Sequence, residues 1–335
     1  MKAVIIGNGH IAGTHAEAIR LAGYEPSWVV GSSAARTASF AEAHQIQNYT
    51  TSLEDALTSD AEIVHICTPP YNHAEIIRKC LSAGKHIICE KPLCINPTEA
   101  LTLAKEAASA YKEKNLITAI CYNVRFYPTN INISKEIKEE KRDCKVLFGS
   151  YLQEFHIPPH PDGWRFDNNL SGSMRAITEI GTHWIDLSYA WTGLKISEVS
   201  AVLGNWFPVR YIKDGMLTED ASGEARAIES EDTAAVIMKF ENGAIGTLLL
   251  SETSPGHSND LTIEVTDLKK TYRWKESSEK DRTATFTALF REVYDSVKTG
   301  RRGDFPDFED GAYVAAVCDA IRKSGEIHTW VKVNP

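Results

Sequence analysis

From Ala3 to Cys121, short apolar runs alternate with stretches whose apolar residues recur at helical spacing, the pattern of parallel strands joined by crossover helices. The strand runs are Ala3–Ile6, Ser27–Val30, Glu62–Cys67, His86–Cys89 and Ile117–Cys121. Between them, helical stretches stop where glycine can take the terminating conformation: Ile11–Ala22 ends at Gly23 and Asn72–Ala83 at Gly84. In Asn96-Pro97-Thr98-Glu99, Asn96 suits a helix cap, Pro97 the first turn and Glu99 a capping box. This is the pattern of a doubly wound, Rossmann-type parallel sheet.

Past Tyr122 the period changes. Longer β-rich runs recur at Leu147–Phe155, Val199–Phe207, Thr233–Phe240, Ala244–Ser251, Leu261–Val265 and Lys270–Trp274. Glu241-Asn242-Gly243 is a hairpin signal between two of them, so this sheet is expected to be mainly antiparallel. The stretch Asp214–Glu229, rich in Gly, Asp, Glu and Ala and without a period, reads as a mobile surface loop. Two helical segments, about Thr283–Thr299 and Glu309–Ser324, and an apolar run at His328–Val333 close the chain. The expectation is an α/β dinucleotide-binding domain over 1–122, then an α+β domain over 123–335 with a large, open-faced sheet for substrate binding and oligomerisation. The last helices are free to pack back on the first domain.

A length of 335 residues exceeds what one core usually supports, ~250–300 residues, which agrees with two domains. A net charge of −9 argues against nucleic-acid or acidic-membrane partners, which want a basic face. No apolar run approaches the ~18 residues of a membrane helix, and the chain enters a strand at Lys2 without a charged leader, so a cytoplasmic protein is expected. The seven cysteines form no Cys-x-x-Cys pair and no Cys/His cluster with zinc spacing, and no metal is expected.

The candidate chemistry starts at Gly7-Asn8-Gly9-His10-Ile11-Ala12-Gly13, between a strand and a helix. Glycines let the chain turn tightly beside a pyrophosphate, and the helix offers unpaired N–H groups and the positive end of its dipole. A sharper signal is Glu90-Lys91-Pro92, directly after the run His86–Cys89, where the carboxyl end of a parallel strand meets ligands. A third segment is Glu179-Ile180-Gly181-Thr182-His183-Trp184-Ile185-Asp186.

With Gly7-x-Gly9-x-Ile11-Ala12, His15 and Phe308-Glu309-Asp310-Gly311, these motifs resemble, in order and over essentially the whole length, the glucose-fructose oxidoreductase / inositol dehydrogenase / rhizopine catabolism (Gfo/Idh/MocA) family. The resemblance implies hydride transfer between a nicotinamide and a carbon of a sugar, cyclitol or related polyol. It makes Lys91 the catalytic lysine and His183 the second catalytic or substrate-orienting group. Glu179 stands where the family has Asp, a departure that lengthens the side chain by one methylene.

Chemistry read from the residues agrees with this. Oxidising an alcohol requires a base within hydrogen-bond reach of the hydroxyl, and Lys91 is placed to take or return that proton. Glu90 is placed to reach the cofactor ribose or to orient Lys91. Glu179 and His183 are four apart and share a face if a helix starts near Ile180. Tyr122, Asn123 and Arg125 leave the last parallel strand at its ligand end; Asn123 and Arg125 either bond substrate hydroxyls or form a surface linker with an interdomain salt bridge. Trp164 either stacks on a sugar face beside Arg165 or simply packs. Thr68, Pro69, Asn72 and His73, just past the third strand, are expected to line the cofactor. At the end of the second strand, where NAD enzymes carry an acid, stand Gly31, Ser32, Ser33 and Arg36, which favours NADP with NAD possible.

Three classes stay open: an NAD(P)-dependent sugar or polyol dehydrogenase, favoured; a cofactor-retaining glycosidase working by transient oxidation and elimination; and a non-catalytic NAD(P)-binding sensor. The open sheet face favours a homodimer or homotetramer.

Overall fold

The computed structural model describes residues 1–278 and 281–334, so Glu279, Lys280 and Pro335 of the range 123–335 lie outside the described residues. The N-terminal sheet contains β1 (Lys2–Ile6), β2 (Glu25–Val30), β3 (Asn48–Thr50), β4 (Ile63–Ile66), β5 (His86–Cys89) and β6 (Thr118–Ile120). They pair in the order β3-β2-β1-β4-β5-β6, every pair parallel. The order reverses between β1 and β4, the switch point at which open α/β sheets bind ligands. Helices α1 (His10–Leu21), α2 (Ala34–Ala43), α3 (Leu53–Leu57), α4 (His73–Ser82) and α5 (Pro97–Lys114) connect the strands.

Strand β3 was not expected. Its three residues, Asn-Tyr-Thr, lie at the sheet edge with none buried, so no apolar run announces them. At the start of α5, Asn96 accepts hydrogen bonds from the Thr98 and Glu99 amides as the motif predicts. The Glu99 carboxylate is drawn instead to Arg78, 2.9 Å away.

The second sheet is built from β7 (Val146–Leu152), β9 (Ile196–Gly204), β13 (Thr233–Phe240), β14 (Ile245–Ser251), β15 (Asp260–Thr266), β16 (Thr271–Lys275) and β17 (Val331–Lys332). The order is β16-β15-β7-β14-β13-β9-β17, antiparallel except where β14 runs parallel to β7. Buried and exposed residues alternate along β13 and β14, so one face is covered while the other carries Ile237, Ile245 and Leu249 exposed. Helices α6 (Pro128–Glu139), α7 (Asn168–Ser171) and α8 (Thr182–Thr192) belong to the same half.

The expected loop at 214–229 is instead part of a small sheet. β8 (His160–Pro161), β10 (Val209–Lys213), β11 (Met216–Thr218) and β12 (Glu224–Ala227) pair in the order β12-β10-β11-β8. Asp214 and Gly215 both have positive φ, 53° and 74°, and close the β10–β11 hairpin. Asp-Gly is a standard signal for such a turn, but its flanking strands are short and mostly solvent-facing, so no apolar alternation marks them.

Two closing helices follow, α9 (Arg282–Thr299) and α10 (Phe308–Ile327). The chain divides into one compact unit of Met1–Phe126 with Asp281–Ala312 and a second of Tyr127–Lys280 with Tyr313–Pro335. In the first, Phe286, Leu289, Phe290, Val293 and Tyr294 of α9 join a core with Ala12, Ala16 and Ile19 of α1 and Ile5 of β1. The Ile120 amide donates to the Pro306 carbonyl at 3.0 Å, satisfying an edge group of β6. Phe290→Ala, which empties part of this core, is expected to cost about 3–5 kcal/mol in urea unfolding. A loss below about 1 kcal/mol would show that α9 does not carry this core.

Candidate active site

In the first unit, the loop after β1 has little freedom. Gly7 has φ +115°, and a Cβ there would lie 2.6 Å from the Cys67 carbonyl oxygen, so only glycine passes beneath the end of β4. At Gly9 a Cβ would meet nothing within 4 Å, and no side chain caps the first turn of α1, which contains no acid. Open space over an uncapped helix N-terminus fits a dinucleotide pyrophosphate. His10 is exposed beside it, while Ile11 turns back onto the core.

Past β2, Ser32 and Arg36 are exposed, and Ser33 stands at the N-cap of α2 without a side-chain capping bond. Gly31 is hemmed in: its Cβ would fall 2.3 Å from Thr37 Oγ1 and 2.7 Å from Asn8 Nδ2. Those two side chains bond each other at 3.2 Å, and the Thr37 hydroxyl donates to the Ser33 carbonyl at 2.6 Å. The space a carboxylate at position 31 would need is therefore filled.

Beyond β4, the Thr68 hydroxyl donates to Asn72 Oδ1 at 2.7 Å, with Pro69 half-buried between them. His73 is fully buried, with Nε2 2.8 Å from the Thr68 carbonyl and Nδ1 3.0 Å from the Pro92 carbonyl. Its ring is a brace between the loops after β4 and β5. Burial lowers its pKa, against the two carbonyl bonds that act to raise it.

Glu90 directly follows β5 with only 8% of its surface exposed. One carboxylate oxygen lies 3.0 Å from His15 Nε2 and the other accepts the Lys91 amide at 3.2 Å. Burial acts to raise its pKa, but the His15 bond and the nearby Lys91 outweigh it and hold the group below the usual glutamate value. The Glu90 carboxylate thus bonds inward, to His15 and to the amide of Lys91. Lys91 follows, half-exposed, with a cis peptide bond to Pro92.

Tyr122 and Asn123 are 1% exposed. Asn123 Nδ2 donates to Thr285 Oγ1 of α9 at 2.7 Å, and Arg125 pairs with Asp310 of α10 at 3.4 Å. Both bonds lie within one unit, so the ion pair of Arg125 is not interdomain.

In the second unit, Ile177–Gly181 form a π-helical turn that runs into α8, so Glu179 and His183 sit on a wider turn than an ordinary helix has. Glu179 Oε2 accepts from Arg165 Nε at 2.9 Å, and the Arg165 guanidinium lies over the Trp164 ring at 4.6 Å. One face of Trp164 is thus occupied by its neighbour. His183 is buried at 3% exposure, its ring 6.3 Å from that of Tyr151.

Beneath this turn lies an ionic cluster that the periodicity does not reveal. Arg175 and Arg210 both reach Asp232 Oδ1, Arg210 at 2.8 Å, and Arg175 Nε is 3.1 Å from Glu252. Glu231 Oε1 accepts the amides of Arg175 at 3.0 Å and Ile177 at 2.8 Å, clamping the start of the segment that carries Glu179 and His183. His156, 2.9 Å from Glu252, is lowered to about 4 by burial and is neutral, so it bonds Glu252 without forming an ion pair. His156, Glu179 and Glu252 converge, but Arg165 and Arg175 already balance the two carboxylates. The only local signal for the cluster is the pair Glu231-Asp232 ahead of an apolar strand. His15, on the apolar face of α1, likewise carries no local signal beyond its place in the motif.

Residues 1–116 match the model of an oxidoreductase family with an NAD-binding Rossmann fold, and residues 145–272 match the GFO/IDH/MocA C-terminal domain. The levoglucosan dehydrogenase of Pseudarthrobacter phenanthrenivorans is 30% identical over 322 aligned residues, spanning 82% of this chain and 80% of that protein. Among solved structures, an oxidoreductase domain protein from Kribbella flavida is similar at a TM-score of 0.91 and 23% identity over 99% of each chain. A levoglucosan dehydrogenase in complex with NADH and levoglucosan is similar at a TM-score of 0.89 and 24% identity over 100% of each. At these identities the two structures show a shared fold.

Glu231 supplies a test of the clamp. Burial raises its pKa from 4.5 to about 7. The folded chain therefore holds a proton that the unfolded chain has released, and this group's contribution to stability falls as pH rises from 4.5 through 7. Glu231→Gln keeps an oxygen for the two amides but carries no charge, so the Tm of the variant relative to the parent is expected to be higher at pH 8 than at pH 5. Equal Tm differences at the two pH values would remove Glu231 from this role.

Proposed function

The chain belongs to the Gfo/Idh/MocA family of NAD-binding oxidoreductases, and on that premise we propose that it is a sugar or polyol dehydrogenase in which Lys91 is the general acid and base and His183 assists it. The observation that carries this reading is the position of Lys91. It stands half-exposed at the carboxyl end of β5, on the rim that also bears the Gly7–Gly9 loop after β1 and Thr68 after β4.

When bound, the nicotinamide supplies the two-electron acceptor for the carbinol carbon. The neutral Lys91 amine accepts the hydroxyl proton as the alcohol becomes a carbonyl, and the ammonium returns it in the reducing direction. Gly7 and Gly9 admit the pyrophosphate, and the inward turn of Glu90 leaves Lys91 as the polar group presented at this strand end. Glu179, held by Arg165, and His183 orient the substrate hydroxyls. The likeness to a levoglucosan dehydrogenase supports a pyranose or an anhydro-sugar as the substrate class. Exposed Ile237, Ile245 and Leu249 on the open sheet support self-association as a homodimer or homotetramer.

For the cofactor, we favour NADP with NAD accepted. Residues 31–36 contain no acid, and Arg36 is free to meet a 2′-phosphate. Arg36→Ala is expected to weaken NADP by about tenfold or more, the scale of one charge-assisted hydrogen bond, and to leave NAD unchanged. This substitution isolates the effect where Gly31→Asp would collide with Thr37 and Asn8. Titration showing NAD at least about tenfold tighter in the parent protein would reverse the preference.

Activity is tested with a panel of sugars, anhydro-sugars and polyols, following reduced nicotinamide. Lys91→Ala is expected to lower kcat by ~10²–10⁴ with cofactor affinity nearly intact. An unchanged kcat in the folded variant, with a deuterated substrate showing that chemistry is observed, rules Lys91 out as the acid–base group.

A further inference from the structure

We propose that His15 is a positioning residue for this site: it holds the Glu90 carboxylate that in turn fixes the Lys91 backbone, and His65 and Tyr294 behind it set its tautomer. The inference rests on the reading of Lys91 as the acid–base group.

His15 lies on the buried face of α1 among Ala12, Ala16 and Ile19, with no exposed surface. A buried imidazole is tolerated when both nitrogens are partnered. His15 Nε2 lies 3.0 Å from Glu90 Oε1, and its Nδ1 lies 3.0 Å from Nδ1 of His65. His65 Nε2 lies 3.0 Å from the Tyr294 hydroxyl. Phe286 and Phe290 pack on the His15 ring, with centroids 5.4 and 4.8 Å away.

With His15 neutral, the donors and acceptors leave one arrangement. Ionised Glu90 only accepts, so His15 donates from Nε2. A neutral His15 then accepts at Nδ1, and the facing Nδ1 of His65 must carry a proton. His65 in turn accepts at Nε2 from the Tyr294 hydroxyl. Four groups from β5, α1, β4 and α9 point every donor toward Glu90.

This chain orients groups and does not carry protons away. Burial and the neighbouring His15 hold His65 well below its ordinary pKa, and burial pushes Tyr294 well above its own. A shift of protons toward Glu90 would leave a phenolate on a buried tyrosine, which that environment opposes. The groups facing Glu90 are His15 from α1, Cys67 after β4, its chain neighbours Cys89 and Lys91, Cys121 after β6 and His73 from α4. Burial raises all three thiols, which stay neutral. Without His15, desolvation governs the carboxylate, Glu90 takes up a proton nearer neutrality, and its hold on the Lys91 amide weakens.

The test uses His15→Phe, whose ring suits the aromatic surroundings but bonds neither partner, and His15→Gln, which keeps a donor toward Glu90. In His15→Phe, the Glu90 carboxyl, followed by 13C NMR with and without cofactor, is expected to titrate at least about one pH unit higher. The acidic limb of the kcat–pH profile is expected to move with it, kcat at neutral pH to fall about tenfold, and cofactor Kd to stay within about threefold of the parent. His15→Gln is expected to restore most of both. A Glu90 titration unmoved by His15→Phe, or a loss of kcat that His15→Gln does not relieve, overturns the proposal. Ring 15N shifts of the parent protein are expected to show the Nε2–H form of His15 and the Nδ1–H form of His65, with the His65 preference relaxed in Tyr294→Phe. The opposite tautomers overturn the proposal even if His15→Phe does not fold. Failure of the Lys91 reading would appear separately, as full turnover in Lys91→Ala, while the Glu90 titration still reports on His15.

Discussion

A carboxylate taken out of water at the end of a parallel strand must be met by donors, and satisfying Glu90 organises much of the N-terminal unit. The helix after the glycine loop brings His15 to one oxygen, and the chain's own next amide, at Lys91, meets the other. Because Lys91 is covalently next to a group fixed from both sides, its backbone position is tied to α1, and through His65 and Tyr294 to α4's neighbouring strand β4 and to α9. The glycine loop and the lysine, far apart in sequence, are thereby parts of one hydrogen-bonded construction. His73 adds a second tie, joining the loops after β4 and β5 through two backbone carbonyls.

The second unit solves a similar problem with whole charges. Two guanidinium groups and two carboxylates, Arg175, Arg210, Asp232 and Glu252, share a buried site. Such a cluster is no argument for extra stability, since desolvation offsets most of the attraction. Its effect here is geometric: Arg175 and Glu231 lie at the entry to the π-helical turn, and the turn carries Glu179 and His183. Glu231, held by two amides but pushed up by burial, is the member whose charge changes near neutral pH.

Both units thus anchor the segment that carries a candidate side chain through a buried polar group. Glu90 precedes Lys91, and Arg175 and Glu231 anchor the segment that leads to Glu179 and His183. The polar atoms of Glu90, His73 and Asn123 are engaged inside the unit, whereas Arg36 stands exposed, although all four follow strands of one sheet.

Sequence alone determined what depends on local spacing. The apolar runs at Ala3–Ile6 and His86–Cys89, the stops at Gly23 and Gly84 and the cap at Asn96 follow from chain neighbours, so the parallel sheet and the strand-end position of Lys91 were legible. The alternation along 233–251 likewise announced a sheet with one open face. Tertiary structure decided what depends on partners far along the chain. Strand β3 and the hairpin at 209–218 bury too little to leave a period. The Glu90 carboxylate bonds His15, 75 residues away, and His65 behind it bonds a tyrosine 229 residues on. The space at Gly31 was filled by Asn8 and Thr37, and the partner of Asn123 came from α9, 162 residues on. A side chain's hydrogen-bond partner is set by which elements pack together, and residue type and spacing carry that information only where the partner is on the same element.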